Sequence, residues 1–372
     1  MPLNNEINTT ALFSIHDSND AKFVKFYNYK MPLHYTHGIL HEHIHTRKSC
    51  SIFDVSHMGQ INIFGIHAID NFKKLIPSDL DNLAIHNSLY TILTNESGGI
   101  IDDLIITKFK DYLKLVVNAS NKLTVLKYLQ NKLGNKNINM LSDHSLIAIQ
   151  GPLSQDILSN FISGHESLDF MSGSNFDINK KPTFISRSGY TGEDGFEIDI
   201  LDEDVDLFVR QLLDFNDVQL AGLGARDSLR IEAGLCLYGN ELSEFTTPLE
   251  ARISWVINKK IEHNDFPGNL MIKKQLKYGI EKIRTAIICN ENFIIRKDAL
   301  VYDEQENQIG IVSSGCYSPI LKKSIAMAFI DKKESIVNRN VFFNIRGKIR
   351  SGLITTFPFV SHKYINSKRK VS

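Results

Sequence analysis

Two adjacent carboxylates, Asp102 and Asp103, follow a glycine pair, Gly98-Gly99, in the run Ser-Gly-Gly-Ile-Ile-Asp-Asp-Leu from Ser97 to Leu104. Glycines let a ligand or a second backbone come close, so this stretch suits a loop that delivers a carboxylate to a site. If Ile100 begins a strand, neighbouring side chains point to opposite faces, and at most one of the two acids faces a shared pocket. The competing reading is a solvated strand start, because Gly and Asp both favour turns.

Other residue clusters carry weaker chemistry. His37, His41 and His45 recur at four-residue steps, which puts three imidazoles on one helix face. A metal would need further ligands, and no carboxylate or cysteine cluster completes the set, so a solvated face is the plainer reading. The run from Ser186 to Glu197 holds three glycines but lacks the Lys-Ser/Thr ending of a phosphate loop, and its acids repel phosphate. Arg226, followed by Asp227, Arg230 and Glu232, reads equally as a structural ion-pair member or as a fork for a ligand carboxylate. Cys50, Cys236, Cys289 and Cys316 are far apart with no Cys-x-x-Cys pair, which argues against structural zinc and a disulfide framework and points to a reducing cytosol.

The elements that must position these residues follow from periodicity. Pro32 marks a boundary, and a helix is expected from about Ile39 through Ile44. Strands are expected over 60–65, 113–118, 146–150 and 196–200, with helices over 67–76, through Ile157 and Phe161, and over 203–215. Leu123, Leu126, Leu129 and Leu133 form a further helical stripe that reads as core. Residues 262–284 read as charged and helical, 285–359 as a small separate β domain of short runs, and the tail from Lys363, with Lys368, Arg369 and Lys370, as a solvated end.

Composition bounds the rest. Lys plus Arg and Asp plus Glu both number 42, so no overall field draws the chain to nucleic acid or an anionic membrane. Neither a long apolar span nor an export or targeting segment is apparent, and a cytoplasmic location is expected.

Taken together, these clusters resemble the T-protein family of the glycine cleavage system, the aminomethyltransferases. The similarity runs in register through Met-Pro-Leu-x-Tyr at 31–35, Phe-Asp-Val-Ser-His-Met-Gly at 53–59, Gly-Gly-Ile-Ile-Asp-Asp-Leu at 98–104, Val-Val-Asn-Ala at 116–119 and Gln-Gly-Pro at 150–152. It continues through Gly-Tyr-Thr-Gly-Glu-Asp-Gly-Phe-Glu at 189–197, the long segment at 222–239, and Ser-Gly-x-x-Ser-Pro at 314–319. Each motif is weak alone; eight in order are specific.

The resemblance implies an α+β, three-domain cloverleaf: two interleaved folate-binding α+β domains over 8–270 and a C-terminal antiparallel β-barrel-like domain over 282–362. It implies tetrahydrofolate as co-substrate and the lipoylated H protein as partner, with transfer of a methylene carbon, release of ammonia and formation of 5,10-methylenetetrahydrofolate. By matching motif, Asp103 is the catalytic acid and Asp102 its outward neighbour. Met58, Tyr90, Asn118, Tyr190 and Glu197 would line the pterin, and Arg226 and Tyr364 would contact folate or the lipoyl substrate. An aspartate with an ordinary pKa near 4 is ionised at neutral pH, so Asp103 is expected to act as an acceptor.

Two departures stand beside the resemblance: Asn28-Tyr29 replaces the family's Gly-Trp, and Asp298 occupies a usually small position. Two rival readings are related folate-dependent demethylases and a non-catalytic folate-binding protein of iron-sulfur maintenance. The uninterrupted Gly-Leu-Cys-Leu-Tyr-Gly at 234–239 argues against the first. The second carries a Lys-Gly-Cys-Tyr-x-Gly-Gln-Glu signature; the Gly-Cys-Tyr at 315–317 lacks the rest of it, which leaves Cys316 as a packed thiol.

Overall fold

The computed structural model describes residues 7–366 apart from 260, 262–264 and 291–292. Among the described residues three large sheets, each with its own apolar core, carry most of the fold. In the first, strands Ser88–Thr94, Ile100–Lys108, Tyr112–Val117, Gly59–Phe64 and Ile138–Met140 lie side by side in that order. Alternation sends Ile61, Leu93, Leu104, Ile106, Leu115 and Val117 to one face, where Val125, Leu129 and Leu133 of the helix Lys122–Leu133 cover them. The expected leucine stripe is thus displaced. Leu123 points outward, 63% exposed, because a 3.6-residue period from Val125 cannot also bury Leu123.

The second sheet orders Ser172–Ile178, Lys181–Arg187, Gly195–Leu201, His144–Gln150, Cys50–Asp54 and Val218–Leu220, with the last pair parallel. Its strand Cys50–Asp54 precedes the whole first sheet in sequence, so the two units interleave. The helix Asp202–Leu213 buries Val205, Phe208 and Leu212 on its outer face, as its pattern predicts. The third sheet is a closed antiparallel barrel of strands Lys282–Cys289, Lys323–Asp331, Gln308–Ser318, Leu300–Tyr302, Asn340–Ile345 and Lys348–Thr355. Closure removes exposed sheet edges.

Several local expectations are corrected. Pro32 is no boundary: it sits inside the strand Tyr29–His34, paired in a two-stranded hairpin with Lys22–Phe26, where an edge strand tolerates a missing N–H. The charged helix spans only Asn269–Tyr278; Gly279, at φ 89°, ends it, and the barrel begins at Lys282. The tail from Lys363 stays exposed at Lys363 and Ile365 but is docked rather than free. Its Nζ pairs with Glu193 Oε1 at 3.0 Å, its N–H donates to the Gly192 carbonyl, and Tyr364 stacks on Phe170 with ring centroids 3.9 Å apart. Lys368, Arg369 and Lys370 lie outside the described residues.

One helix, Leu223–Glu232, joins the six-stranded sheet to the barrel. Ala225 and Leu229 pack with Phe53 and Ala148 of the six-stranded sheet. Arg230 and Glu232 donate to and accept from Ser314 and Ser318 of the barrel, and Ile231 packs on Ile325 and Met327. Arg226 is left for the space between the units. Among the described residues no helix is long and apolar enough to cross a membrane.

Candidate active site

The glycine pair does what its position suggests. Gly98 adopts φ 79°, and a Cβ on Gly99 would stand 1.8 Å from the Glu244 carbonyl oxygen, so only glycine lets the 243–246 turn clasp this hairpin. Ile100 N–H is within hydrogen-bonding distance of two carbonyls of that turn, Ser243 O and Thr246 O. Next comes a β-bulge: Thr94 pairs Ile100 and Leu93 pairs Asp102, which leaves Ile101 as the extra residue, turned into the core. The bulge resets alternation immediately before the two acids.

Asp103 therefore faces the space between the sheets. Its Oδ2 accepts from the Tyr90 hydroxyl at 3.0 Å and its Oδ1 from Asn118 Nδ2 at 2.7 Å. Asp102 lies on the opposite parity, but it is not the outward, solvated neighbour expected from the sequence. It is fully buried, and its carboxylate accepts from the Asn118 N–H at 3.2 Å, from Asn118 Nδ2 at 2.9 Å and from Asn121 Nδ2 at 3.3 Å. The reason is the neighbouring strand end: the strand Tyr112–Val117 stops there, and Asn118 and Asn121 fold back over the core-side face as the next helix begins.

The expected ordinary pKa of Asp103 is corrected too. Burial pushes its carboxyl up to about 6, against the pull of Asn118 and Tyr90. Burial and the Asp103 charge push Asp102 well above the carboxylate range, with Asn118 and Asn121 opposing. Burial, with the Asp103 carboxylate beside it, also raises the Tyr90 hydroxyl.

The opposite wall comes from the second sheet and the joining helix. Tyr190 donates its hydroxyl hydrogen to the Cys236 carbonyl, and the Arg226 guanidinium lies 4.7 Å above its ring. Burial lowers the Arg226 pKa, which Glu197 and Tyr190 partly restore, and its buried Nη1 has no hydrogen-bond partner among the described residues. Glu197 accepts from Ser188 Oγ at 2.7 Å through Oε2. Met58 packs with Phe53, Ala148 and Val116 where the two sheets meet, and a Lys114–Asp199 ion pair closes that seam.

Of the residues singled out in the sequence, Tyr90, Asp103 and Asn118 form one hydrogen-bonded group, while Tyr190, Glu197 and Arg226 form a second set related by ring contact and charge; burial and the Asp103 carboxylate together raise Tyr190 as well. Met58 lines the seam between the sheets. Tyr364 stands apart from both groups, stacked on Phe170 beside His362. The imidazoles of His37, His41 and His45 do share a face, His41 meeting Gln219 and His45 meeting Ser51.

Sequence reasoning missed Trp255, whose ring lies 5.3 Å from Tyr90 with 66% of its surface open, and Asn121, which reaches the acid pair. Trp255 belongs to no motif; its signal was only that it is the single tryptophan of the chain. For Asn121 the signal was its three-residue spacing from Asn118 at a helix start.

The match to known families is extensive. The sequence fits the GCVT N-terminal domain over residues 12–261 and the glycine cleavage T-protein C-terminal barrel domain over residues 284–361. It is 39% identical to the mitochondrial aminomethyltransferase of Dictyostelium discoideum, over 97% of this chain and 94% of that protein. It is 35% identical to that of Homo sapiens, over 96% and 91%. The fold matches the crystal structure of glycine cleavage system aminomethyltransferase T from Bartonella henselae with a TM-score of 0.91 at 35% identity, covering 97% of this chain and 100% of that one. The chain belongs to the aminomethyltransferase family, the T proteins of the glycine cleavage system.

Proposed function

We propose that this aminomethyltransferase moves the methylene carbon of an aminomethyl thioether, carried on the lipoyl arm of an H protein, to tetrahydrofolate with loss of ammonia, and that Asp103 is the reacting carboxylate. The observation that carries the reading is a carboxylate held by Asn118 and Tyr90, with no cation paired to it among the described residues, in a site whose other wall carries a buried Arg226 Nη1 with no partner among them. Those groups suit a pterin. Glu197 keeps acceptor capacity for the ring's amino and N–H donors, and the unpartnered Arg226 Nη1 supplies a buried donor. Met58, Tyr90 and Trp255 supply apolar and aromatic surface.

Burial raises the Asp103 carboxyl towards neutral pH, which suits a group that accepts and returns a proton. Tyr90 and Asn118 fix which oxygen faces the substrate. As for location, the relatives named above are called mitochondrial. The free cysteines do not separate a cytoplasmic from a mitochondrial location, since a reducing mitochondrial interior suits free thiols equally well.

Trp255 offers the test. Its fluorescence, titrated with tetrahydrofolate with and without H protein, is expected to respond saturably without added metal. Incubation with aminomethylated H protein is expected to yield 5,10-methylenetetrahydrofolate and ammonia. Turnover of a methylated amine in place of aminomethylated H protein overturns the reading in favour of a demethylase; folate binding with no transfer favours a non-catalytic folate protein.

A further inference from the structure

Asp102 is a fully buried carboxylate that the proposed chemistry does not use. Its surroundings are unusual. Asn118 Nδ2 carries two hydrogens, yet three acceptors lie within reach: Asp102 Oδ1 at 2.9 Å, Asp103 Oδ1 at 2.7 Å and the Asp103 carbonyl at 3.1 Å. The two carboxylates therefore share one donor group, and what one receives depends on the charge of the other. The titratable groups facing the pair are Tyr90 from the adjoining strand, Tyr190 from the opposite loop, and Cys236, Tyr238 and Glu241 from the segment after the joining helix. None of these supplies a positive charge.

We propose that Asp102 is a positioning residue: through the Asn118 carboxamide, whose two hydrogens both acids draw on, it orients the Asp103 carboxylate. This deepens the reading of Asp103 as the reacting group and rests on it. Two carboxylates this close in a dry setting resist ionising together, so the pair holds one proton over a wide range and releases it in steps that belong to both residues.

The test uses the intact protein labelled with carbon-13 at the aspartate carboxyls, titrated by NMR as wild type, Asp102→Asn and Asp103→Asn. In the wild type, both buried carboxyl signals are expected to move over the same two pH steps. In Asp103→Asn, the Asp102 signal is expected to collapse to one step whose midpoint lies about one pH unit or more lower, and in Asp102→Asn turnover is expected to fall with the tetrahydrofolate KM little changed. An Asp102 midpoint unchanged in Asp103→Asn, or turnover unchanged in Asp102→Asn, overturns the proposal. If either variant does not fold, the wild-type curves decide: two independent single-step titrations overturn it. Adding tetrahydrofolate separates this from the functional reading, which fails if the Asp103 signal ignores the ligand whatever the coupling.

Discussion

Arg226 and Arg230 sit one turn apart on the same helix and live opposite lives. Arg230 is saturated: Glu241 at 2.7 Å, Asp227 at 2.9 Å and Ser314 at 2.7 Å. Arg226 has an aromatic ring beneath it and an Nη1 with no partner among the described residues. The carboxylates divide in the same way. Burial alone would raise Glu232 and Glu241, but His43 and Arg47 around the first and Arg230 beside the second hold both below their ordinary values. Asp102 and Asp103, given only amides and a phenol, are raised. Completed ion pairs tie helix, sheet and barrel together; the incomplete sets are where the proposed folate would supply the missing partners.

Four changes would break or sharpen this contrast, in order of expected size. Arg230→Ala leaves Glu241 buried and unpaired, and is expected to cost about 3–5 kcal/mol of stability in denaturant unfolding; a loss below about 1 kcal/mol would mean the pair is not structural. Glu197→Ala removes a charge-assisted acceptor and should weaken tetrahydrofolate binding by about 1.5–3 kcal/mol, read from Trp255 fluorescence, with a smaller change in turnover at saturation. Unchanged affinity removes Glu197 from the site.

Third, Asp54 is a paired acid. Burial would raise it, yet the hydrogen bond and charge of His16, with Thr10 and Ser56, hold it down to about 2. A carboxylate depressed on folding contributes stability above its unfolded pKa and loses it as pH falls through the folded value. Between about pH 4 and pH 2 the wild type should therefore lose about 2 kcal/mol that Asp54→Asn does not lose; parallel acid-unfolding curves would contradict this. Last, Lys363→Ala cuts a half-exposed ion pair to Glu193 and is expected to change stability by no more than about 1 kcal/mol. A larger fall in melting temperature would make the docked tail a principal support.

How much of this was legible in the sequence depended on range. The helix over 202–213 and the strand through Leu113–Val117 were readable because their periods are local. The strands over 172–187 and the hairpin around Pro32 were not, since their partners, rather than their own patterns, hold them extended. Asp103 was legible through its motif. Asp102 was misread because alternation assigns a side to each residue but not what covers that side, and Asn118 and Asn121 return from another strand to cover it. Trp255 reaches Tyr90 from 165 residues away, a contact only the folded chain provides.

The most direct test of the contrast is turnover and melting temperature measured on the same samples of Asp103→Asn. Its folded pKa is raised, so this acid contributes nothing against folding when protonated at low pH and costs stability as pH rises through about 6. Replacing it with a neutral near-isostere removes that cost at neutral pH. The account predicts formation of 5,10-methylenetetrahydrofolate slower by roughly 10² to 10⁴ with a melting temperature that does not fall. Full activity, or an activity loss accompanied by a lower melting temperature, would contradict it.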